Sequence, residues 1–67
     1  MITGINSNPN ANGEYKLVDL TVSKTDRTWE NDNYIIGLDK NTFNWVLNTK
    51  QNGLTTENCL CKMYAIN

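Results

Sequence analysis

Histidine is absent from this 67-residue chain. The absence removes the commonest general base and the commonest metal ligand in one step. Glycine is too sparse to form a phosphate-binding loop, because the four glycines are dispersed along the chain. The loop carboxylates between residues 26 and 32 lack the glycine and the distal glutamate of an EF-hand. The sequence therefore predicts a protein that is not an enzyme, with no cofactor and no metal site.

Cysteine is also scarce. The two cysteines, Cys59 and Cys61, stand in the tripeptide `CLC`, a spacing too tight for an ordinary stabilising disulfide. A secreted domain of this size usually carries several disulfides. The pattern predicts a cytoplasmic protein whose cysteines are reduced and packed in the interior. The alternatives are redox chemistry at one thiol, or a zinc site to which two chains contribute two thiolates each.

Long apolar runs and an excess of one charge are missing as well. No run approaches the roughly 20 residues of a membrane span, and the start of the chain lacks the pattern of a signal peptide. Six basic and seven acidic residues give a net charge of -1, without the basic stripe that releases counterions from nucleic acid. The sequence predicts no membrane contact, disfavours nucleic acid and favours another protein as partner.

The first clear strand pattern covers residues 14–23. Val18, Leu20 and Val22 alternate there with polar residues, which predicts a strand with one buried face. A short strand at residues 1–5 is expected to fold back toward it through an intervening turn rich in asparagine.

The clearest hairpin joins residues 34–39 to residues 43–49. Both segments alternate with period 2, and polar turn residues separate them. Gly37 lies inside the first of these strands, where glycine weakens packing and often marks a bulge or a close approach of another backbone. The pattern predicts a curved antiparallel sheet.

The last segment, residues 54–67, fits two structures. Leu60, Met63 and Tyr64 follow the spacing of an amphipathic helix that begins after a threonine cap. The run of cysteine, leucine and β-formers fits a buried strand equally well. Strand is favoured over helix.

The whole chain, residues 1–67, is predicted to be one small all-β domain, with one short C-terminal helix as the variant. The expected architecture is a curled antiparallel sheet of four to five strands, barrel-like or sandwich-like. A core this small stabilises the fold by only about 3–5 kcal/mol, so a homodimer that covers the sheet edges is expected. The predicted core consists of Val18, Leu20, Val22, Tyr34, Ile36, Leu38, Phe43, Trp45, Leu47, Leu60 and Met63.

A tryptophan interrupts the polar segment `TDRTWENDNY` at residues 25–34. Trp29 is predicted to lie at the tip of a loop. There it either folds back to cap the core or is an exposed anchor surrounded by charged residues. The second arrangement is typical of a binding hot spot, where Trp, Tyr and Arg dominate. The exposed anchor is favoured. The predicted partner-binding residues are Trp29, Arg27, Glu30, Asp32 and Asp26.

A long strand, a polar loop and a shorter strand follow one another in `YKLVDLTVSKTDRTWENDNYIIGLDK`, residues 15–40. This arrangement resembles the opening hairpin of OB-fold barrels. The resemblance implies a barrel that binds single-stranded nucleic acid, with Phe43 and Trp45 as a stacking platform for bases if their face is open.

The preferred function is a non-enzymatic protein-binding module. The composition, rich in asparagine, lysine, isoleucine and threonine, indicates an AT-rich coding sequence such as that of a low-GC bacterium or its phage. A small phage or mobile-element inhibitor or accessory protein, acting in the host cytoplasm, is therefore expected. The alternative is an OB-like single-stranded nucleic-acid binder.

Overall fold

The computed structural model describes residues 2–4 and 11–65 of the protein. Within these residues the regular structure is almost entirely β. The elements are β1 (Lys16–Leu17), the 3-10 helix η1 (Lys24–Asp26), β2 (Trp29–Glu30), β3 (Tyr34–Asp39), β4 (Asn44–Thr49) and β5 (Cys61–Tyr64).

The five strands form one antiparallel sheet in the order β1-β2-β3-β4-β5. Each strand pairs with its neighbours in sequence. The prediction of an all-β antiparallel sheet is confirmed. The sheet is not closed into a barrel, so the resemblance to an OB-fold hairpin does not extend to the architecture, because an OB fold is a Greek-key barrel.

The hairpin of β3 and β4 forms the centre of the sheet, as predicted. It pairs Tyr34 with Thr49 at one end and Asp39 with Asn44 at the other. Phe43 closes the turn in the left-handed region, at φ 59°, and its N–H donates to the carbonyl of Asp39 at 2.7 Å. This conformation takes Phe43 out of the alternation of β4.

The C-terminal segment is a strand rather than a helix, which confirms the favoured prediction. Its four residues, Cys61–Tyr64, pair with β4 and are all exposed. Near the other terminus, Ile2 and Gly13 exchange backbone hydrogen bonds of 2.6 and 2.8 Å in an isolated bridge. The predicted strand at residues 1–5 is thus represented by one bridge within residues 2–4, and its remaining residues lie outside those described.

Residues directly opposite in an antiparallel pair share a face of the sheet. One face, here called the tryptophan face, carries Trp29, Trp45 and Met63, because Trp29 pairs with Ile36 and Trp45 pairs with both Leu38 and Met63. The buried cluster of Ala11, Tyr34 and Leu47 lies in this half of the molecule, with Tyr15, Ile36 and Leu60 packed against it.

The opposite face is built around a glycine. Gly37 pairs with the fully buried Val46, and a Cβ at Gly37 would lie 2.8 Å from Leu54 and 2.9 Å from Thr28. The close approach at Gly37 is therefore made by side chains and not, as predicted, by another backbone. Asn48, also fully buried, donates to the carbonyl of Thr55 at 3.5 Å, so the β4–β5 connection covers this face.

The predicted core is partly wrong. Tyr34, Leu38 and Leu47 are buried as expected, whereas Val18, Leu20 and Met63 are exposed. The predicted strand over residues 14–23 is also wrong, because only Lys16–Leu17 are strand. The buried residues that the sequence prediction missed are Ala11, Val46, Asp39 and Asn48.

Candidate functional site

An exposed apolar ridge follows β1. It consists of Val18 and Leu20, whose residues are 55% and 71% exposed. Val18 N–H donates to the carbonyl of Thr28 at 2.9 Å, which ties the start of the ridge to the chain just before β2. Two large aliphatic side chains exposed two residues apart make this segment a candidate contact site.

Polar contacts shape the backbone of this ridge. Asp19 Oδ1 accepts hydrogen bonds from the N–H of Thr21 at 2.8 Å and from its hydroxyl at 2.6 Å. This local turn ends the strand pattern, since aspartate competes with the ladder for backbone groups. The same hydrogen bonds lower the pKa of Asp19, the side-chain bond from Thr21 contributing most.

Arg27 supports the backbone of the ridge. Its Nε donates to the carbonyl of Val22 at 3.3 Å, and its Nη2 donates to the carbonyl of Leu20 at 3.4 Å. The guanidinium therefore ties the end of η1 to the ridge. Arg27 was predicted as a binding residue from its place beside Trp29, and the structure gives it contacts that support the backbone of Leu20.

Asp26 is the last residue of η1 and contacts the central hairpin. It forms an ion pair with Lys40, the residue after β3, and accepts a hydrogen bond from the hydroxyl of Ser23 at 3.0 Å. The hydrogen bond from Lys40 is the main cause that lowers the pKa of Asp26. Asp26 thus anchors η1 to the central hairpin.

Trp29 is not at a loop tip, which corrects the predicted position. It lies in β2 between Leu17 and Ile36, and its half-buried ring meets the ring of Trp45 edge to face, with centroids 6.3 Å apart. The sequence reading failed because a strand of two residues is too short to show alternation. The burial of Trp29 is intermediate between that of the buried cap and that of the exposed anchor.

Glu30 and Asp32 belong to a different part of the surface. Glu30 follows Trp29 in β2 and so projects from the opposite face, where it lies 3.6 Å from Lys50 Nζ. Asp32 lies in the turn at which Asn31 Oδ1 accepts from the N–H groups of Asn33 and Tyr34. Together with Glu14 and Lys16 these residues line an open depression of about 400 Å³.

The five predicted binding residues therefore do not form one patch. Asp26 and Arg27 flank η1, Trp29 lies on the tryptophan face, and Glu30 and Asp32 line the depression. The ridge of Val18 and Leu20 was missed because both residues were assigned to the core. One feature of the sequence could have identified it: Asp19 stands between them, and aspartate is depleted in strands.

A buried carboxylate joins the central hairpin to the β4–β5 connection. Asp39 Oδ2 accepts from the N–H and the hydroxyl of Thr56 at 2.9 and 2.8 Å. Its Oδ1 accepts from Asn41 N–H at 3.0 Å. These bonds, the side-chain bond from Thr56 first, lower the pKa of Asp39. Since Thr56 donates its hydroxyl hydrogen to Asp39, Thr42 donates to Thr56 across 2.5 Å. The cluster is satisfied internally and serves the fold.

The cysteines are free thiols, but they are not both packed in the interior. Cys61 is exposed in β5 and Cys59 is half-buried, which corrects the predicted burial of Cys61. The cause is that β5 lies at the edge of the sheet. Within residues 2–4 and 11–65, no three Cys, Asp or Glu side chains lie close enough together to hold a metal ion. The same residues include no helix long and apolar enough to cross a membrane.

Comparison with protein families, with curated proteins and with solved structures finds no match to the chain.

Proposed function

We propose that the protein is a non-enzymatic module that binds another protein through the ridge of Val18 and Leu20. The observation that carries the proposal is the exposure of Leu20, at 71% the largest among the exposed apolar side chains of the described residues. Burial of a leucine side chain contributes about 1.5–3 kcal/mol. A partner with an apolar pocket would gain that free energy from Leu20, and Val18 beside it would add to the contact.

The backbone of the ridge supports this role because it is held before any partner arrives. The turn at Asp19 and the two hydrogen bonds from Arg27 fix the segment from both sides. A preorganised segment loses less conformational entropy on binding, so more of the burial free energy appears as affinity.

Charged groups border the ridge as the polar rim of an interface would. Arg27 donates to the carbonyls of Val22 and Leu20, and Asp26, its neighbour in sequence, forms an ion pair with Lys40. This arrangement keeps Arg27 and Asp26 among the proposed binding residues, as supports and rim rather than as anchors. We place the protein in the cytoplasm because its thiols are free, whereas small secreted domains usually carry several disulfides. The role we propose for it there is that of an inhibitor or accessory protein.

The test compares Leu20→Ser with the wild type as bait in lysate of the source organism. Because Leu20 is exposed, the free energy of unfolding of the variant should lie within about 0.5 kcal/mol of that of the wild type. A specific partner retained by the wild type should bind the variant about tenfold more weakly or worse, as loss of a buried leucine contact implies.

The control is Gln51→Ala, which shortens an exposed side chain in the turn after β4, away from both the ridge and β5. It should retain the partner. Equal retention by all three proteins would contradict the ridge as the binding surface. Binding of short single-stranded oligonucleotides at low salt, unaffected by Leu20→Ser, would favour the nucleic-acid alternative instead.

A further inference from the structure

The strand β5 lies at an open edge of the sheet. It pairs with β4 on one side, and none of residues 2–4 and 11–65 pairs with its other side. All four of its residues are exposed, including Met63 at 68% and Tyr64 at 63%. An exposed edge strand with apolar side chains is a template for another strand.

The direction of the backbone groups along β5 follows from one hydrogen bond. Ala65 N–H donates to the carbonyl of Phe43 at 2.9 Å, so Ala65 points toward β4. Backbone groups alternate in direction along a strand. Met63 therefore also points toward β4, whereas the N–H and C=O groups of Lys62 and Tyr64 point outward.

We infer that β5 pairs antiparallel with β5 of a second copy of this chain, about a two-fold axis at Met63. In this register Lys62 lies opposite Tyr64 of the second copy, and Met63 lies opposite Met63 of the second copy. The outward N–H and C=O groups of Lys62 form hydrogen bonds with those of Tyr64 of the second copy, and Tyr64 bonds in the same way to Lys62 of the second copy. Two five-stranded sheets then form one continuous sheet.

Charge favours this register over its neighbour. An axis at Lys62 would place the two lysine side chains directly opposite each other, which is destabilising. With the axis at Met63, each ammonium group faces a tyrosine ring, an attractive pairing. The net charge of -1 per chain adds little repulsion between the copies.

The tryptophan face gives a second reason for an axis at Met63. Met63 pairs with Trp45, and Trp45 contacts Trp29, so these three side chains form an apolar row that ends at the open edge. In the dimer the row continues into Met63, Trp45 and Trp29 of the second copy. The exposed Met63 at the end of the row is thereby covered by Met63 of the second copy.

A junction of two short strands is small. It buries less than the roughly 1,200 Å² of a stable interface, so the dimer should be reversible and dependent on concentration. Sedimentation velocity on the full chain should show a sedimentation coefficient that rises with protein concentration.

Cysteine substitution tests the register itself, in a Cys59→Ala, Cys61→Ala background whose fold is checked by circular dichroism. Met63→Cys places two thiols in a pair whose Cα atoms lie about 4.5 Å apart, within the range that a disulfide spans. Mild oxidation should convert most of this variant into a disulfide-linked dimer.

The controls are Lys62→Cys and Tyr64→Cys in the same background. Each thiol would lie diagonally from its counterpart, with Cα atoms about 7–8 Å apart, too far for a disulfide. Both should remain mainly monomeric after oxidation. The inference is overturned if the sedimentation coefficient does not change with concentration, or if either control cross-links as readily as Met63→Cys.

Discussion

Trp29 and Trp45 meet edge to face across β3, the strand that separates them in the sheet, with ring centroids 6.3 Å apart and planes at 60°. The contact joins β2, a strand of two residues, to the central hairpin. Because so short a strand has few ladder hydrogen bonds, side-chain packing has to stabilise its position. The tryptophan pair supplies that packing.

We therefore expect Trp29→Ala to lower the free energy of unfolding by about 2 kcal/mol, less than the 3–5 kcal/mol of a fully buried tryptophan, because Trp29 is half-buried. Trp29→Phe should lower the free energy of unfolding by less, since an aromatic ring remains. Urea denaturation of Trp29→Ala, Trp45→Ala and the double variant should give a coupling free energy of about 0.5–1.5 kcal/mol. Additive losses would show that the rings do not stabilise each other.

Gly37→Ala should also destabilise the fold. The new methyl group would lie within 3 Å of Leu54 and Thr28, and overpacking of this kind costs about 1–3 kcal/mol. Leu54 can move more easily than the β-branched Thr28. Adding Gly37→Ala to a Leu54→Ala variant should therefore cost less than adding it to the wild type, and an equal cost in the two backgrounds would contradict the contact.

Stability should fall in acid partly because of Asp39. Its pKa is lowered in the folded protein, so its stabilising contribution is present above the ordinary aspartate pKa of about 3.9 and is lost as the pH falls through the folded value. Asp39→Asn should be less stable at neutral pH, because an amide offers one acceptor oxygen instead of two. It should also lose less stability on acidification.

The measurement is urea denaturation between neutral pH and about pH 3. Asp32→Asn, a change at an exposed turn residue away from Thr56, serves as the matched control and should follow the wild type. Asp19 and Asp26 also have lowered pKa values, so some acid sensitivity should remain in Asp39→Asn. An unchanged profile in that variant would contradict the role of Asp39.

The two thiols should react at different rates. Cys61 is exposed and Cys59 is half-buried, so brief alkylation of the folded protein should modify Cys61 first. Mass spectrometry of the Cys61→Ala variant should show the fast phase gone, whereas Cys59→Ala should keep it. Equal rates for both thiols would indicate that the strand edge opens readily.

The sequence predicted the centre of the sheet better than its margins. The hairpin of β3 and β4 was found because polar turn residues separate two long alternating segments. Alternation failed to identify Val46, since a central strand buries both faces and the prediction assigned only one of them to the core. At the margin, Val18 and Leu20 alternate with polar residues as in a buried strand. They are not part of β1, however, because the turn at Asp19 follows the strand directly.

The candidate site could be predicted only in part, for a related reason. Arg27 and Asp26 were named from composition, and their contacts, with backbone carbonyls and with Lys40, depend on the fold of η1. Trp29 was named because an aromatic residue stood out in a polar segment, yet its partner Trp45 is distant in sequence. The contact depends on the pairing of β2 with β3, and a strand of two residues is too short to be predicted from alternation.

The order of the strands has a kinetic consequence. Each strand pairs with its neighbours in sequence, so every pairing closes a short loop and the entropic barrier to each closure is small. We expect the hairpin of β3 and β4 to form first and the remaining strands to add outward from it. The protein should therefore refold faster than barrels or sandwiches of similar size, whose first and last strands have to meet.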